Sequence, residues 1–345
     1  MQINQDMAMN EKARTVVLAR RPGPDISVDD FALVDQPLPE PGEGQVRVRN
    51  RYISVDPYMR LALSDRNGVS AAKPLGEAMT GGAVGVVEAS RAPALPPGTM
   101  VTSQFGWRDR FVADASAVQA VSAEGVQPSW YLGLLGLTGM TAYAGIEYIL
   151  DPAAGETIFV SGAAGAVGSV AAQLAKQRGC RVIATAGTDE KVAWLKDVLH
   201  LDAVANYATT DLAAFLAREC PGGIDHYFDN VGGPTLDAAI TAMKPKGRIV
   251  VCGAISQYNT PNYCAGPGEF FKISEKGITI VGLNVGMWFD RGKEAFGDLA
   301  QRVAAGKLIW EETIVEGLDN APQAFVSLFS GQNRGKMVVA VDPAR

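Results

Sequence analysis

The 345-residue sequence predicts a two-domain α/β protein. A mostly β, barrel-like module spans 1–133 and resumes over 305–345, and a doubly wound parallel sheet spans 134–304. Three observations carry this. The length exceeds the roughly 100 to 200 residues of one domain. Short strands crowd the first third of the chain, with Pro and Gly punctuating them. Beyond Gly155, apolar strand and amphipathic helix alternate regularly, as in a parallel sheet wound on both faces.

Residues 1 to about 12 form a polar lead. Thr15-Val16-Val17-Leu18-Ala19 and Phe31-Ala32-Leu33-Val34 read as strands. Gln45 to Ser54 alternates apolar and charged residues through Val46, Arg47, Val48 and Arg49, the pattern of a half-exposed antiparallel strand. Asp56-Pro57-Tyr58-Met59-Arg60 follows, then a polar loop, and Gly81 to Ala89 resumes the strands. Helix is expected from about Pro128, ending at the linker Asp151-Pro152-Ala153-Ala154-Gly155. Six strands are then expected, at 157–160, 181–185, 203–206, 226–229, 248–252 and 278–283. Thr188 and Asp211 stand where N-caps belong, ahead of helical patterns over 189–199 and 212–220. From Leu308 to Val341 the pattern returns to short strands and one helix.

The wound half is organised around Thr157-Ile158-Phe159-Val160-Ser161-Gly162-Ala163-Ala164-Gly165-Ala166-Val167-Gly168. A short apolar strand ends in G-x-x-G-x-x-G, and a helix opens at once with Val167, Val170, Ala171, Leu174 and Ala175 on one face. Glycine lets the backbone approach a pyrophosphate, and the helix start offers it unpaired N–H groups and the positive dipole end. Glycines alone are a common structural turn; the strand before them and the helix after them make this a dinucleotide signal.

Composition narrows the function further. A net charge of -6 lacks the basic balance of a nucleic-acid partner. No apolar run approaches the ~20 residues of a bilayer span. The polar start, with Gln2, Asn4, Gln5 and Asp6, is unlike a signal peptide, so a cytoplasmic location is expected. The four cysteines, Cys180, Cys220, Cys252 and Cys264, are widely spread without C-x-x-C spacing, and there are only two histidines, His200 and His226. No metal site is expected from such a donor set. Cys180 and Cys252 read as core residues in strands, and both histidines as structural.

The order of motifs resembles the medium-chain dehydrogenase/reductase superfamily, and within it the zinc-free double-bond reductases. That group includes prostaglandin and leukotriene reductases, plant alkenal double-bond reductases and bacterial curcumin reductases. The resemblance is carried by Asp56-Pro57-Tyr58-Met59-Arg60, Gly139-Met140-Thr141-Ala142-Tyr143, the glycine turn through Ser169, Asp189-Glu190-Lys191 and Asn206-Tyr207. Phe228-Asp229-Asn230-Val231-Gly232-Gly233, Cys252 to Asn259 and Asn333-Arg334-Gly335-Lys336 complete it. It implies a GroES-like β-barrel catalytic domain, closed by the C-terminal segment, and a Rossmann domain, with the active site in the cleft. Val281 to Trp288 and Asn259 to Gly268 depart from the family pattern, which bears on substrate rather than on reaction class.

An NAD site usually has an acid at the tip of its second strand, bonded to the ribose 2′-OH. Here Thr185 runs into Ala186-Gly187-Thr188, with Lys191 one turn on, although Asp189 and Glu190 are near. NADPH is therefore the expected cofactor; otherwise Lys191 is a solvated helix residue. The resemblance puts Lys191 and Tyr207 at its phosphate end and Asn230, Tyr258 and Asn333 along the remainder. The full set expected for the cofactor adds Gly162, Ala163, Gly165, Ala166, Val167, Gly168, Gly187, Cys252, Ser256, Leu283, Asn284 and Val285.

The chemistry follows partly by elimination. The Gly-His-Glu signature of the zinc alcohol dehydrogenases is replaced by Thr80-Gly81-Gly82, so no Lewis acid is expected at a carbonyl. None of the nine tyrosines has Lys four residues later, the pair used by short-chain reductases. An alkene conjugated to a carbonyl accepts hydride without either device, provided hydrogen-bond donors meet the enolate oxygen. Tyr258 and Tyr58 are the candidate catalytic residues; otherwise the first is a loop anchor and the second a packed turn residue. A quinone reductase and a non-catalytic, crystallin-like NADPH-binding protein remain as alternatives. Trp107, Trp288, Tyr263 and Phe270 are either cleft-lining or core and lid residues. The expected partners are an enone or enal substrate and a second copy of the chain in a homodimer, with neither nucleic acid nor membrane.

Overall fold

The computed structural model describes residues 11–64, 71–122, 125–260 and 266–341. Tyr263 and Cys264 lie outside the described residues. The chain forms two compact units. The first holds residues up to Gly133, Thr313–Gln332 and the stretch from Met337; the second holds Leu134–Glu312 and Asn333–Lys336.

The first unit begins with β1 (Lys12–Leu18) paired antiparallel to β2 (Phe31–Pro37). β3 (Gln45–Ser54) is its longest strand, and its alternation is a matter of two environments. Val46 and Val48 are buried to within 1% while Arg47 and Arg49 reach out to Glu88, at 3.9 and 2.9 Å. β4 (Ala83–Ser90), β5 (Met100–Ser103), β6 (Arg110–Asp114) and β7 (Val118–Ala120) follow. β3 pairs antiparallel with both β4 and β6 and so lies inside the sheet.

The second unit opens with α1 (Leu137–Tyr143), which runs into a π-helical turn at Ala144–Leu150. Strand and helix then alternate: β8 (Thr157–Val160), α2 (Ala166–Gln177), β9 (Arg181–Ala186), α3 (Asp189–Asp197), β10 (Ala203–Asn206), α4 (Leu212–Glu219), β11 (Ile224–Asp229), α5 (Gly233–Ala242) and β12 (Met243–Val251). α6 (Phe270–Lys276), β13 (Thr279–Gly282) and α7 (Gly292–Ala304) complete it. The six strands form one parallel sheet in the order β10-β9-β8-β11-β12-β13. Both expected caps form: the Thr188 hydroxyl accepts the Lys191 N–H and the Asp211 carboxylate the Ala214 N–H. Central strands are buried on both faces, as in Ile158, Phe159, Val182 and Ile183 at 0% exposure. Each such side chain contributes ~1.5–3 kcal/mol on leaving water.

Returning to the first unit, the chain adds β14 (Glu312–Glu316), α8 (Ala321–Leu328) and β15 (Lys336–Ala340). β15 pairs with β3, Val338 opposite Ser54 and Val339 opposite Ile53. α8 contributes Phe325 to an aromatic cluster with Phe31 and Trp107, whose ring centroids lie 5.7 to 6.0 Å apart.

Of the two readings of Trp107 the core one holds: it is fully buried in the first unit, its ring stacked on Phe31. One expectation needs correction. Cys180 and Cys252 are outside the strands, immediately before β9 and immediately after β12, because each strand ends where its parallel partner stops pairing. Cys180, Cys220 and Cys252 are free thiols.

Candidate nucleotide site

A parallel sheet puts all its carboxyl ends on one edge, and every strand of the second unit ends there on a residue singled out by the sequence. β8 leads to Gly162, β9 to Gly187, β10 to Tyr207, β11 to Asn230, β12 to Cys252 and β13 to Leu283. The strand order reverses between β8 and β11, and ligands of open α/β sheets bind in the crevice at such a point.

The glycine turn sits beside that crevice. Gly162 has φ +60°, and the Gly165 N–H closes the turn on its carbonyl at 3.0 Å. A Cβ on Gly168 would lie 2.4 Å from the Gly162 oxygen and 2.8 Å from the Ala163 Cα, so only glycine lets α2 start this close to the turn. Ala163 is locked to the sheet by its N–H on the Thr185 carbonyl, 3.0 Å. Ala166, Val167 and Gly168 form the first turn of α2, whose N–H groups have no carbonyl within the helix to meet. This backbone concavity fits a pyrophosphate, and it is the observation on which a dinucleotide is accommodated here.

Asn230 is held across the crevice. Its amide donates to the Ser161 carbonyl at 2.8 Å, and its backbone N–H to the Ser161 hydroxyl at 3.1 Å. Beneath it Asp229 is completely buried, and its Oδ1 accepts the N–H groups of Val231 and Gly232 at 2.9 and 2.8 Å and the Tyr227 hydroxyl at 2.7 Å. Burial pushes the Asp229 carboxyl above its ordinary range, against the pull of these donors. Sequence reasoning quoted Asp229 within a motif and assigned it no role. An acid closing β11 directly after the apolar pair Tyr227-Phe228 was the available signal.

The next loop hangs on this turn. Cys252 and Gly253 donate to the Asp229 carbonyl, and Ser256 donates through both its N–H and its hydroxyl to the Val231 carbonyl, the latter at 2.6 Å. Tyr258 follows, and its hydroxyl accepts the Ala254 N–H at 3.3 Å. Burial and then Asp229 push the Cys252 thiol up to about 12. Beyond β13, the Leu283 N–H bonds the Val251 carbonyl and Asn284 caps a short helical turn that begins at Val285. Trp288 lies in that turn, stacked on Tyr148 at 5.3 Å, and Phe270 is 72% exposed on α6.

At the tip of β9, a Cβ on Gly187 would meet the Tyr207 hydroxyl at 2.7 Å, which leaves a niche bounded by Tyr207. Lys191 is half-buried beside it; burial lowers its ammonium pKa and Glu190 opposes that shift. Both nearby acids are engaged elsewhere. Asp189 accepts the Asn206 amide at 2.8 Å, and Glu190 pairs with Arg334 at 3.5 Å. Arg334, also pairing with Glu311 at 2.6 Å, was not foreseen as a site residue. It belongs to Asn333–Lys336, which docks on the turn through the Gly335 N–H to the Ala164 carbonyl at 2.8 Å. Asn333 is turned inward within this segment, its amide on the Gly335 carbonyl.

Tyr58 belongs to the first unit, in the 3-10 helix Pro57–Leu63. It retains 43% of its surface, yet burial around the hydroxyl and then Asp56 push the phenol well above its ordinary value. Among the described residues no three of His, Cys, Asp and Glu gather as metal ligands, and no helix is long and apolar enough to cross a membrane.

Comparisons with known proteins identify the family. The family described as "N-terminal domain of oxidoreductase" matches residues 14–121, and that described as "Zinc-binding dehydrogenase" matches residues 166–304. NADPH-dependent curcumin reductase of Escherichia coli is 36% identical, over 96% of this chain and 97% of the relative. The NADP(+)-dependent 2-alkenal reductase of Nicotiana tabacum is 41% identical, over 88% and 89%. The solved structure of CurA in complex with NADPH from Vibrio vulnificus superposes with a TM-score of 0.89 at 39% identity, over 95% of this chain and 99% of that one. The chain belongs to the medium-chain dehydrogenase/reductase family of oxidoreductases, on the zinc-free branch that holds the curcumin and 2-alkenal reductases.

Proposed function

We propose that the protein reduces the carbon–carbon double bond of α,β-unsaturated ketones and aldehydes with NADPH. The observation that carries this is the placing of the Tyr258 hydroxyl against Ala254, on the sheet edge that also presents the phosphate-binding turn. Relatives named as curcumin and 2-alkenal reductases support it.

Gly162, Ala163, Gly165 and the N–H groups of Ala166 to Gly168 hold the pyrophosphate. Lys191 and Tyr207 receive the 2′-phosphate, in a niche where Asp189 and Glu190 are already paired. Asn230, Cys252, Ser256, the segment Leu283 to Val285, and Asn333 line the rest of the cofactor. NADPH supplies the hydride when bound. As the substrate β-carbon gains that hydride, the π electrons move onto the carbonyl oxygen, and the Tyr258 O–H donates to the enolate oxygen. The Ala254 N–H, donating to the same phenol oxygen, withdraws charge from it and strengthens this bond. Protonation of the α-carbon by solvent completes the saturated product.

NADPH deuterated at the transferred position tests the reaction. The label is expected on the β-carbon of a saturated ketone; label on the carbinol carbon of an allylic alcohol, or turnover of quinones alone, would overturn the reading.

A homodimer forms through β13, the edge of the parallel sheet. Ile280 on it and Phe270 and Phe271 on α6 are exposed, and an open apolar edge calls for cover. Light scattering should give twice the 36.4 kDa chain mass, and a monomer at micromolar concentration would exclude the dimer. The free thiols agree with a cytoplasmic location.

A further inference from the structure

Arg334 is held against the first turns of α3 by three partners, all within the second unit. Its Nε and Nη2 donate to one oxygen of Glu311 at 3.1 and 2.6 Å, its guanidinium lies 5.6 Å from the centre of the Trp194 ring, and its Nη1 faces a Glu190 oxygen at 3.5 Å. Glu190 and Trp194 are four residues apart on α3 and so share a face. The backbone fixes the guanidinium as well. The Lys336 N–H bonds the Glu311 carbonyl at 3.0 Å, and a Cβ on Gly335 would collide with that oxygen, so the segment is seated directly on Glu311.

Glu190 is the loose member of this group. Its side chain is 84% exposed, against 36% for Arg334 and 30% for Glu311, and an exposed pair of this length is weak. It also acts on Lys191, whose ammonium pKa is lowered by burial while Glu190 opposes the shift. Asp189 is engaged with the Asn206 amide instead. One exposed carboxylate thus serves two cations at the first turn of α3, which follows the tip of β9. A phosphate carries more charge and more acceptor oxygens than a carboxylate, and the planar guanidinium matches it.

We infer that Arg334 is a specificity-determining residue for the cofactor: it shares the 2′-phosphate with Lys191, and Glu190 is the carboxylate that this phosphate displaces. The inference rests on the reading that places the 2′-phosphate beside Lys191 and Tyr207. It involves no covalent step, only the exchange of one anion for another.

Calorimetry of the full chain with adenosine 2′,5′-bisphosphate and with adenosine 5′-monophosphate tests it without turnover. Arg334→Met should weaken binding of the bisphosphate roughly tenfold, the loss of one charge-assisted bond, and leave the monophosphate unchanged. Glu190→Gln should tighten the bisphosphate about threefold, because a weak competitor is gone. Equal weakening of both ligands by Arg334→Met would show that Arg334 only seats its segment, and an unchanged bisphosphate affinity would show that it takes no part in recognition; either overturns the inference. Where Arg334→Met fails to fold, Glu190→Gln decides, since its side chain is exposed, and a bisphosphate affinity that stays level or falls is then the overturning result. The wider reading is separable. A parent that binds both ligands equally removes the 2′-phosphate niche and the inference with it, whereas a loss confined to Lys191→Ala leaves the niche standing and removes Arg334 from it.

Discussion

The glycine turn of the second unit and the Tyr58 cavity of the first are built from opposite materials. At Gly162 to Gly168 the site consists of backbone: N–H groups, a left-handed turn at Gly162 and no room for a Cβ at Gly168. Around Tyr58 it consists of side chains from distant parts of the chain, with Lys73 and Gln104 brought to a helix that starts at Pro57. Backbone geometry tolerates no added atom, whereas a cavity between side chains tunes what it accepts through single substitutions. The Tyr258 loop is intermediate, since its phenol acts as a side chain but accepts a backbone hydrogen bond from Ala254.

The largest effect should come from Gly168→Ala. The new Cβ meets main-chain atoms at 2.4 and 2.8 Å, so the turn must move. Overpacking of this kind costs about 1–3 kcal/mol of stability. Displacing the phosphate donors by about 1 Å should weaken NADPH binding on the order of 100-fold, read by quenching of protein fluorescence. Gly165→Ala is the control: its Cβ meets one atom, at 3.3 Å, in an extended conformation, so its loss should be much smaller. Equal losses would erase the contrast drawn above.

Tyr258→Phe should lower turnover with enones by ~10-fold or more while leaving the NADPH Kd unchanged, because it removes a donor that acts on the enolate oxygen. A change in NADPH affinity alone would make Tyr258 a loop anchor. Lys191→Ala should raise the KM for NADPH by roughly tenfold and leave that for NADH nearly unchanged, since one charge-assisted bond to the 2′-phosphate is lost. Equal use of both cofactors by the parent would remove the basis of that assignment.

The smallest effect concerns Cys252. With its thiol pushed up to about 12, the thiolate is scarce at pH 8, and it gains roughly tenfold per pH unit as pH rises toward that value. Iodoacetamide at pH 8 should therefore leave NADPH binding intact, and the slow alkylation should quicken roughly tenfold per pH unit. Rapid inactivation at pH 8 that mass spectrometry traces to Cys252 would contradict the raised thiol near Asp229.

What was legible in the sequence had a local cause. The spacing Gly162, Gly165 and Gly168 is readable because a tight turn and close packing each exclude a Cβ within seven residues of chain. The alternation of β3 and the caps Thr188 and Asp211 follow from the periods and unpaired N–H groups of single elements. Ala186-Gly187-Thr188 at the tip of β9 showed a missing acid because a strand end and its cofactor edge are fixed by the same few residues. Trp107 illustrates the limit, since nothing adjacent to it reveals that Phe31 and Phe325 close over it.

The sequence by itself therefore determined the wound sheet and its glycine turn, which depend on neighbouring residues and their backbone conformations, and its motif order carried the resemblance to the family. Only the tertiary structure decided how the charges are shared out. Glu190 is paired by Arg334, 144 residues away, and Asp189 is held by Asn206. Asp229 is buried under the donors that shape the Asn230 turn, while the Lys73 ammonium donates to the Ala78 carbonyl. Electrostatic partners are selected by proximity in space, and a chain order carries no measure of that distance until the sheets have closed.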